Sequence, residues 1–161
     1  MTASVRVQYV RMPIEDIDYP AGSFDIVISS LAFHYVKSFE DICRKVEECL
    51  VSGGDFVFSV EHPVFTAYGT QDWIYDEQGK PLHWPVDRYF TEGRREAHFL
   101  GSEVVKYHKT LTTYLNSLLR NGFEIISIVE PEPEPHLLET VPGMKDELRR
   151  PMMLLVAARK K

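Results

Sequence analysis

The stretch FDIVISSLAFHYV, Phe24 to Val36, opens as a strand and closes on polar and aromatic residues. Its Ile26-Val27-Ile28 run is continuously apolar, as suits a strand buried on both faces. It then runs out into Ser29-Ser30 and delivers His34-Tyr35 past its tip. A second stretch, GGDFVFSVEHP, Gly53 to Pro63, does the same and ends in Glu61-His62-Pro63. Two strands that carry polar chemistry at their ends point to a site built at one edge of a sheet.

The elements around these two strands follow from periodicity. Ser38, with Asp41 three residues on, forms an approximate capping box for a helix. Phe39, Ile42, Val46, Cys49 and Leu50 fall on one helical stripe, and Gly53-Gly54 ends the unit before the strand Phe56 to Val60. Strand, helix, strand is the signature of a parallel crossover. Upstream, Val5 to Val10 is a β-prone run, followed by the loop MPIEDIDYPAGS. Downstream, Leu111, Tyr114, Leu115, Leu118 and Leu119 make an apolar helical face, stopped by Asn121-Gly122 in the manner of a left-handed cap. Phe123 to Val129 is a further strand. The turn EPEPEP and a short charged helix around Met144 to Arg149 precede the last strand, Met152 to Ala158. The expected fold class is α/β, a mostly parallel sheet with an antiparallel C-terminal hairpin. Between Pro63 and Lys109 lies a segment without helical period, rich in aromatics. It reads as a lid or binding insertion, with rough alternation in VDRYF and EVVKYHKT suggesting a small hairpin.

The chain has 161 residues, 44% hydrophobic and 26% charged, with a formal net charge of −6. That is one globular domain, residues 1–161, with the insertion 63–109 inside it. The acidic balance gives no footprint for a nucleic-acid backbone. No apolar run reaches membrane-spanning length, and the N-terminus lacks the apolar core of a signal peptide, so a cytoplasmic protein is expected. Cys43 and Cys49 suit neither a disulfide nor a zinc site; Cys49 reads as a small core residue, and the place of Cys43 stays open. No metal site is expected.

The ordered set MPIEDIDYPAGSFDIVISSLAFHYV, CLVSGGDFVFSVEHP, HW…DRYF…EGRR, KYHKTL, LLRNGFEI and RPMMLLVAARKK resembles class I S-adenosylmethionine-dependent methyltransferases, of the bacterial small-molecule type. The resemblance covers nearly the whole chain. It implies a Rossmann-like sheet, S-adenosyl-L-methionine as cofactor and a small-molecule methyl acceptor. The family's Gly-rich turn and ribose-binding acid have no counterpart before Gly22, so these residues read as a methyltransferase domain beginning at the family's third strand. On that expectation the chain is a fragment of a longer enzyme that by itself binds the cofactor weakly. The alternative is a catalytically inactive remnant acting as a dimeric interaction module, pairing through the exposed sheet edge unless Val5 to Val10 fills it.

The resemblance also assigns residues. The Ile14 backbone N–H and the Glu15 carboxylate are candidates for the adenine contact, against a reading of Glu15-Asp16 as surface acids. Ser30 and Leu31 match the segment flanking the methionine end of the cofactor. Methyl transfer asks the protein mainly to position an acceptor and take its proton. His34, Glu61 and His62 are the candidate catalytic residues, each with a structural alternative: a packed histidine, and a hydrogen-bonded Glu-His pair. His108 and Tyr89 stand behind them, and the insertion's aromatics form the lid's own core.

Overall fold

The computed structural model describes residues 7–99 and 101–161. β1 (Phe24–Ser30) leads through a turn at Phe33–Tyr35 into α1 (Phe39–Cys49), and β2 (Leu50–Glu61) returns beside β1. The insertion follows: α2 (Pro63–Thr66), the hairpin β3 (Ile74–Tyr75) with β4 (Pro81–His83), and the hairpin β5 (Gly93–Phe99) with β6 (Ser102–His108). Then come α3 (Leu111–Arg120), β7 (Phe123–Val129), α4 (Pro135–Thr140), a 3-10 turn at Met144–Arg149 and β8 (Met153–Lys160).

The main sheet has four strands in the order β1-β2-β8-β7. β1 and β2 are parallel, and β8 runs antiparallel to both β2 and β7. Three strands therefore share one direction, and the last strand inserts between β2 and β7. The expected α/β class stands, as does the antiparallel pairing of the last two strands.

Local chemistry explains the helix ends. The Ser38 hydroxyl accepts the Asp41 N–H at 3.3 Å and caps α1. Thr110 caps α3 through the Thr113 N–H at 3.2 Å, and Gly122 leaves the helix with φ 81°. The stripe of α1 packs with Tyr114 and Leu118 of α3 onto Phe56, Phe58, Val60, Leu154 and Val156 of the sheet. Phe33, just beyond β1, joins this core, its ring centroid 5.5–5.8 Å from those of Phe39, Phe56 and Phe58. Burying each such ring stabilises by about 1.5–3 kcal/mol. This anchors the turn that carries His34. Cys43 and Cys49 are both buried thiols of the core.

The structure corrects several expectations. Val7 to Val10 form no strand, and Tyr9 is 93% exposed; Val5 and Arg6 lie outside the described residues. Nothing among the described residues pairs with the outer edge of β1. Leu119 is exposed, because it lies off the stripe that α3 turns to the core. β2 starts at Leu50, not Phe56, and carries Gly54 inside it. A Cβ on Gly54 would come within 2.9 Å of the Val51 carbonyl and 3.0 Å of the Asp25 carbonyl, so that glycine serves a close approach of backbones. The insertion's hairpin pairs EVVKYHKT with residues 93–99 rather than with VDRYF. α4 follows the proline-rich turn unannounced.

Candidate active site

Glu61 is the last residue of β2, and its carboxylate is only 13% exposed. Lys106, from the inward face of β6, donates to Glu61 Oε1 at 2.6 Å and to Gln71 Oε1 at 2.6 Å. Gln71 in turn donates through Nε2 to Glu61 Oε2 at 2.7 Å. The three side chains close a ring of hydrogen bonds that neutralises a buried ammonium with a partly buried carboxylate. The Lys106 ammonium also lies 5.3 Å from the Phe99 ring centroid and 5.8 Å from that of Tyr35.

His34 completes the cluster. Its Nδ1 accepts the Glu61 backbone N–H at 3.3 Å, which puts the ring proton on Nε2, 3.9 Å from Glu61 Oε1. Burial pulls its pKa from 6.5 down to about 4, against the raising effect of Glu61, so the ring is neutral near pH 7.

These groups line a cavity of about 490 Å³ over the ends of β1 and β2, walled by Leu31, Tyr35, Phe65, Phe99, Met152 and Met153. Three non-glycine residues have φ in the left-handed region among the described residues, and two of them, Leu31 (φ 50°) and Gln71 (φ 56°), line this cavity. Leu31 is held there because its N–H reaches both the carbonyl and the hydroxyl of Ser59, at 3.0 and 3.1 Å. Strained backbone of this kind gathers at functional sites.

The other candidates fall elsewhere. His62 does not join Glu61 in the cavity, because neighbouring residues leaving a strand point to opposite sides. Its Nδ1 accepts the Val64 N–H at 3.1 Å and caps α2. Its Nε2 lies 2.8 Å from Glu130 Oε1, a contact that becomes an ion pair only when the ring is protonated. Burial holds its pKa below the ordinary value. His108 receives the Thr66 hydroxyl on Nδ1 and donates from Nε2 to the Tyr89 carbonyl, both at 2.8 Å. It ties α2 and the loop before β5 to β6. Lys109 donates to the carbonyls of Val36, Tyr107 and Phe33 at 2.6, 3.1 and 3.4 Å and pins the His34 turn; burial draws its pKa down to about 8.

Ser30 and Leu31 stand at the tip of β1, as expected. Ile14 and Glu15 form a short 3-10 turn, held onto α1 by Lys45, whose ammonium donates to the carbonyls of Glu15 and Ile17 at 2.6 and 3.1 Å. Ile14 shares an apolar cleft of about 290 Å³ with Ile28 and Ser29, while the Glu15 carboxylate is exposed. An apolar cleft beside exposed hydrogen-bonding groups suits a nucleoside. No group of three or more His, Cys, Asp and Glu that could hold a metal occurs among the described residues.

Lys106 and Gln71 are the site residues that sequence reading misses. Alternation in EVVKYHKT puts Lys106 on the same buried face as His108, and a lysine on an inward face was the available signal.

Comparison with known proteins adds four findings. A family model described as a methyltransferase domain matches residues 2–58. The crystal structure of a Listeria monocytogenes protein described as an S-adenosylmethionine-dependent methyltransferase superposes with a TM-score of 0.92 at 57% identity, covering 99% of this chain and 72% of that one. An S-adenosylmethionine-dependent methyltransferase from Mesorhizobium loti matches at 42% identity and a TM-score of 0.84, over 94% of this chain and 69% of its own. An uncharacterised protein of Haemophilus influenzae is 30% identical over 98% of this chain, which spans 62% of that protein's length.

Proposed function

The chain belongs to the class I S-adenosylmethionine-dependent methyltransferases, and from that premise we propose that it serves methyl transfer to a small molecule held in the cavity over β1 and β2. The observation that carries this reading is the Glu61 carboxylate, fixed by Lys106 and Gln71 and facing that cavity. On the cofactor side, the strained Leu31 peptide, Ser30 and the Ile14–Glu15 turn hold S-adenosylmethionine. When bound, it supplies an activated methyl group whose carbon–sulfur electron pair stays on sulfur as S-adenosylhomocysteine.

Glu61 takes the proton that the acceptor hydroxyl or N–H gives up. Lys106 and Gln71 lock the carboxylate rotamer, so no reorganisation is needed at the moment of transfer. His34 orients Glu61 through its backbone N–H and, being neutral, adds no competing charge. His62 supports the site by capping α2. The insertion 63–109 closes the cavity as a lid through Phe65, Gln71, Phe99 and Lys106. General-base catalysis contributes about 10²–10⁴-fold, so Glu61→Gln is expected to slow transfer of labelled methyl from S-adenosylmethionine to small-molecule acceptors at least 100-fold. Affinity for S-adenosylhomocysteine should be unchanged. Transfer at the unaltered rate would remove Glu61 from the chemistry.

One observation favours a second reading. β1 is the outer strand of the described sheet, with Ile26 50% and Ile28 70% exposed. An open apolar edge is a pairing surface. In this reading two copies join through β1, and the chain is an interaction module without turnover. Sedimentation equilibrium separates the readings: a dimer broken by Ile28→Lys supports the second, and a monomer at all concentrations removes it.

A further inference from the structure

We infer that the acceptor is a neutral planar aromatic molecule whose edge carries a hydroxyl or ring N–H. This inference rests on the methyl-transfer reading and names the substrate class of that site.

The floor of the cavity excludes charged acceptors. Lys106 is already neutralised by Glu61 at 2.6 Å, the ammonium buried and the carboxylate largely so. An anionic acceptor finds no spare cation there, since Lys106 is committed to a carboxylate that would repel it. An ammonium finds Glu61 already paired. What the floor does offer is a mixed hydrogen-bonding edge. Each Glu61 oxygen accepts one side-chain hydrogen bond and has a further lone pair. Lys106 has three N–H groups, of which two are donated among the described residues, and Gln71 donates one of its two. Acceptor and donor sites thus stand side by side, and a hydroxyl, which both donates and accepts, matches the pair.

The walls select shape. Tyr35 and Phe99 are 39% and 48% exposed, so ring surface remains for a ligand. Met152 and Met153 present adaptable thioether surface, which packs well on aromatic edges. The volume of about 490 Å³ lies within the range of roughly 300–1,000 Å³ found for small-molecule sites. A flat ring between these walls puts its polar edge on Glu61, the group that takes the proton.

The test uses 2-naphthol as probe, with naphthalene and 2-naphthoate as controls, on the 161-residue chain without cofactor. Binding is followed by calorimetry near neutral pH. The expected result is saturable 2-naphthol binding at least 10-fold tighter than either control. The double variant Glu61→Gln with Lys106→Met, which leaves no lone buried charge, should weaken 2-naphthol at least 10-fold and leave naphthalene unaffected. Phe99→Ala, at a half-exposed position, should weaken all aromatic probes. Equal binding of naphthalene or 2-naphthoate overturns the inference, as does 2-naphthol binding that neither variant changes. Because no methyl is transferred in this experiment, a chain without transferase activity still answers it. Loss of transfer with retained 2-naphthol selectivity would fault the catalytic reading alone.

Discussion

At the scale of single residues, His34 carries a pH signature. Its folded pKa of about 4 lies below the ordinary 6.5, with burial as the leading cause. As pH falls through 6.5 the unfolded chain takes up a proton that the folded chain refuses until about 4. The stability associated with His34 is therefore full above pH 6.5 and is lost progressively between 6.5 and 4. At about 1.4 kcal/mol per pKa unit, the loss has an upper size of about 3 kcal/mol. Burial holds His62 and His108 down as well, so both add to the same slope. Urea unfolding near pH 7 and near pH 4.5 should show the loss. His34→Asn, whose side-chain carbonyl can still accept the Glu61 N–H, should flatten it; an unaltered pH slope in that variant would contradict the assignment. The same scale shows what sequence leaves unread. Leu31 and Gln71 take left-handed backbone without being glycine, and nothing in a leucine or a glutamine announces that. Lys106 meets Glu61 across 45 positions, a contact fixed only once β6 folds back over β2.

At the scale of elements, the two helices with clear caps and stripes, α1 and α3, were legible because burial on one face imposes a period of 3.6. The strands Asp25 to Ser29 and Phe123 to Val129 were legible as apolar runs, but β1 is not buried on both faces as its run suggested, since Ile26 and Ile28 are exposed. The insertion was legible only in part: EVVKYHKT read as one arm of a small hairpin, but its partner Gly93–Phe99 and the β3–β4 hairpin did not, because these strands are short and lean on contacts from far along the chain. Its main fastening is Arg150, which is 8% exposed and makes a bidentate pair with Glu147 at 2.7 and 3.1 Å. The guanidinium lies 4.2 Å from the Trp84 ring centroid, 4.8 Å from Phe65 and 5.4 Å from Trp73. Arg149 adds hydrogen bonds to the carbonyls of Pro81 and Leu82 and sits 4.5 Å from the Trp73 centroid. Trp73 and Trp84 are the two tryptophans of the chain, so intrinsic fluorescence reports on this fastening directly. Arg150→Ala removes the cation from over the Trp84, Phe65 and Trp73 rings, a loss of about 0.5–2 kcal/mol for each such contact. The expected outcome is a red-shifted emission and faster proteolysis between Ala67 and Glu92. Emission and cleavage unchanged from the parent chain would mean that the insertion docks by other contacts.

At the scale of the whole molecule, polarity is arranged by strand end. The carboxyl ends of β1 and β2 hold the strained Leu31 peptide, His34 and Glu61, while the insertion brings Gln71 and Lys106 to them. This is the end of an open α/β sheet where ligands bind, and it explains why FDIVISS and GGDFVFSVE both run out into polar residues. The central claim is that cofactor and acceptor meet at the tip of β1, at Leu31. The most direct test is a backbone amide NMR titration of the chain with S-adenosylhomocysteine. The expected result is saturable shifts at Ile14, Glu15, Ser30, Leu31 and His34, with Glu124 to Val129 unaffected. Shifts confined to the β7 edge, or none at Ser30 and Leu31 at saturation, would contradict it.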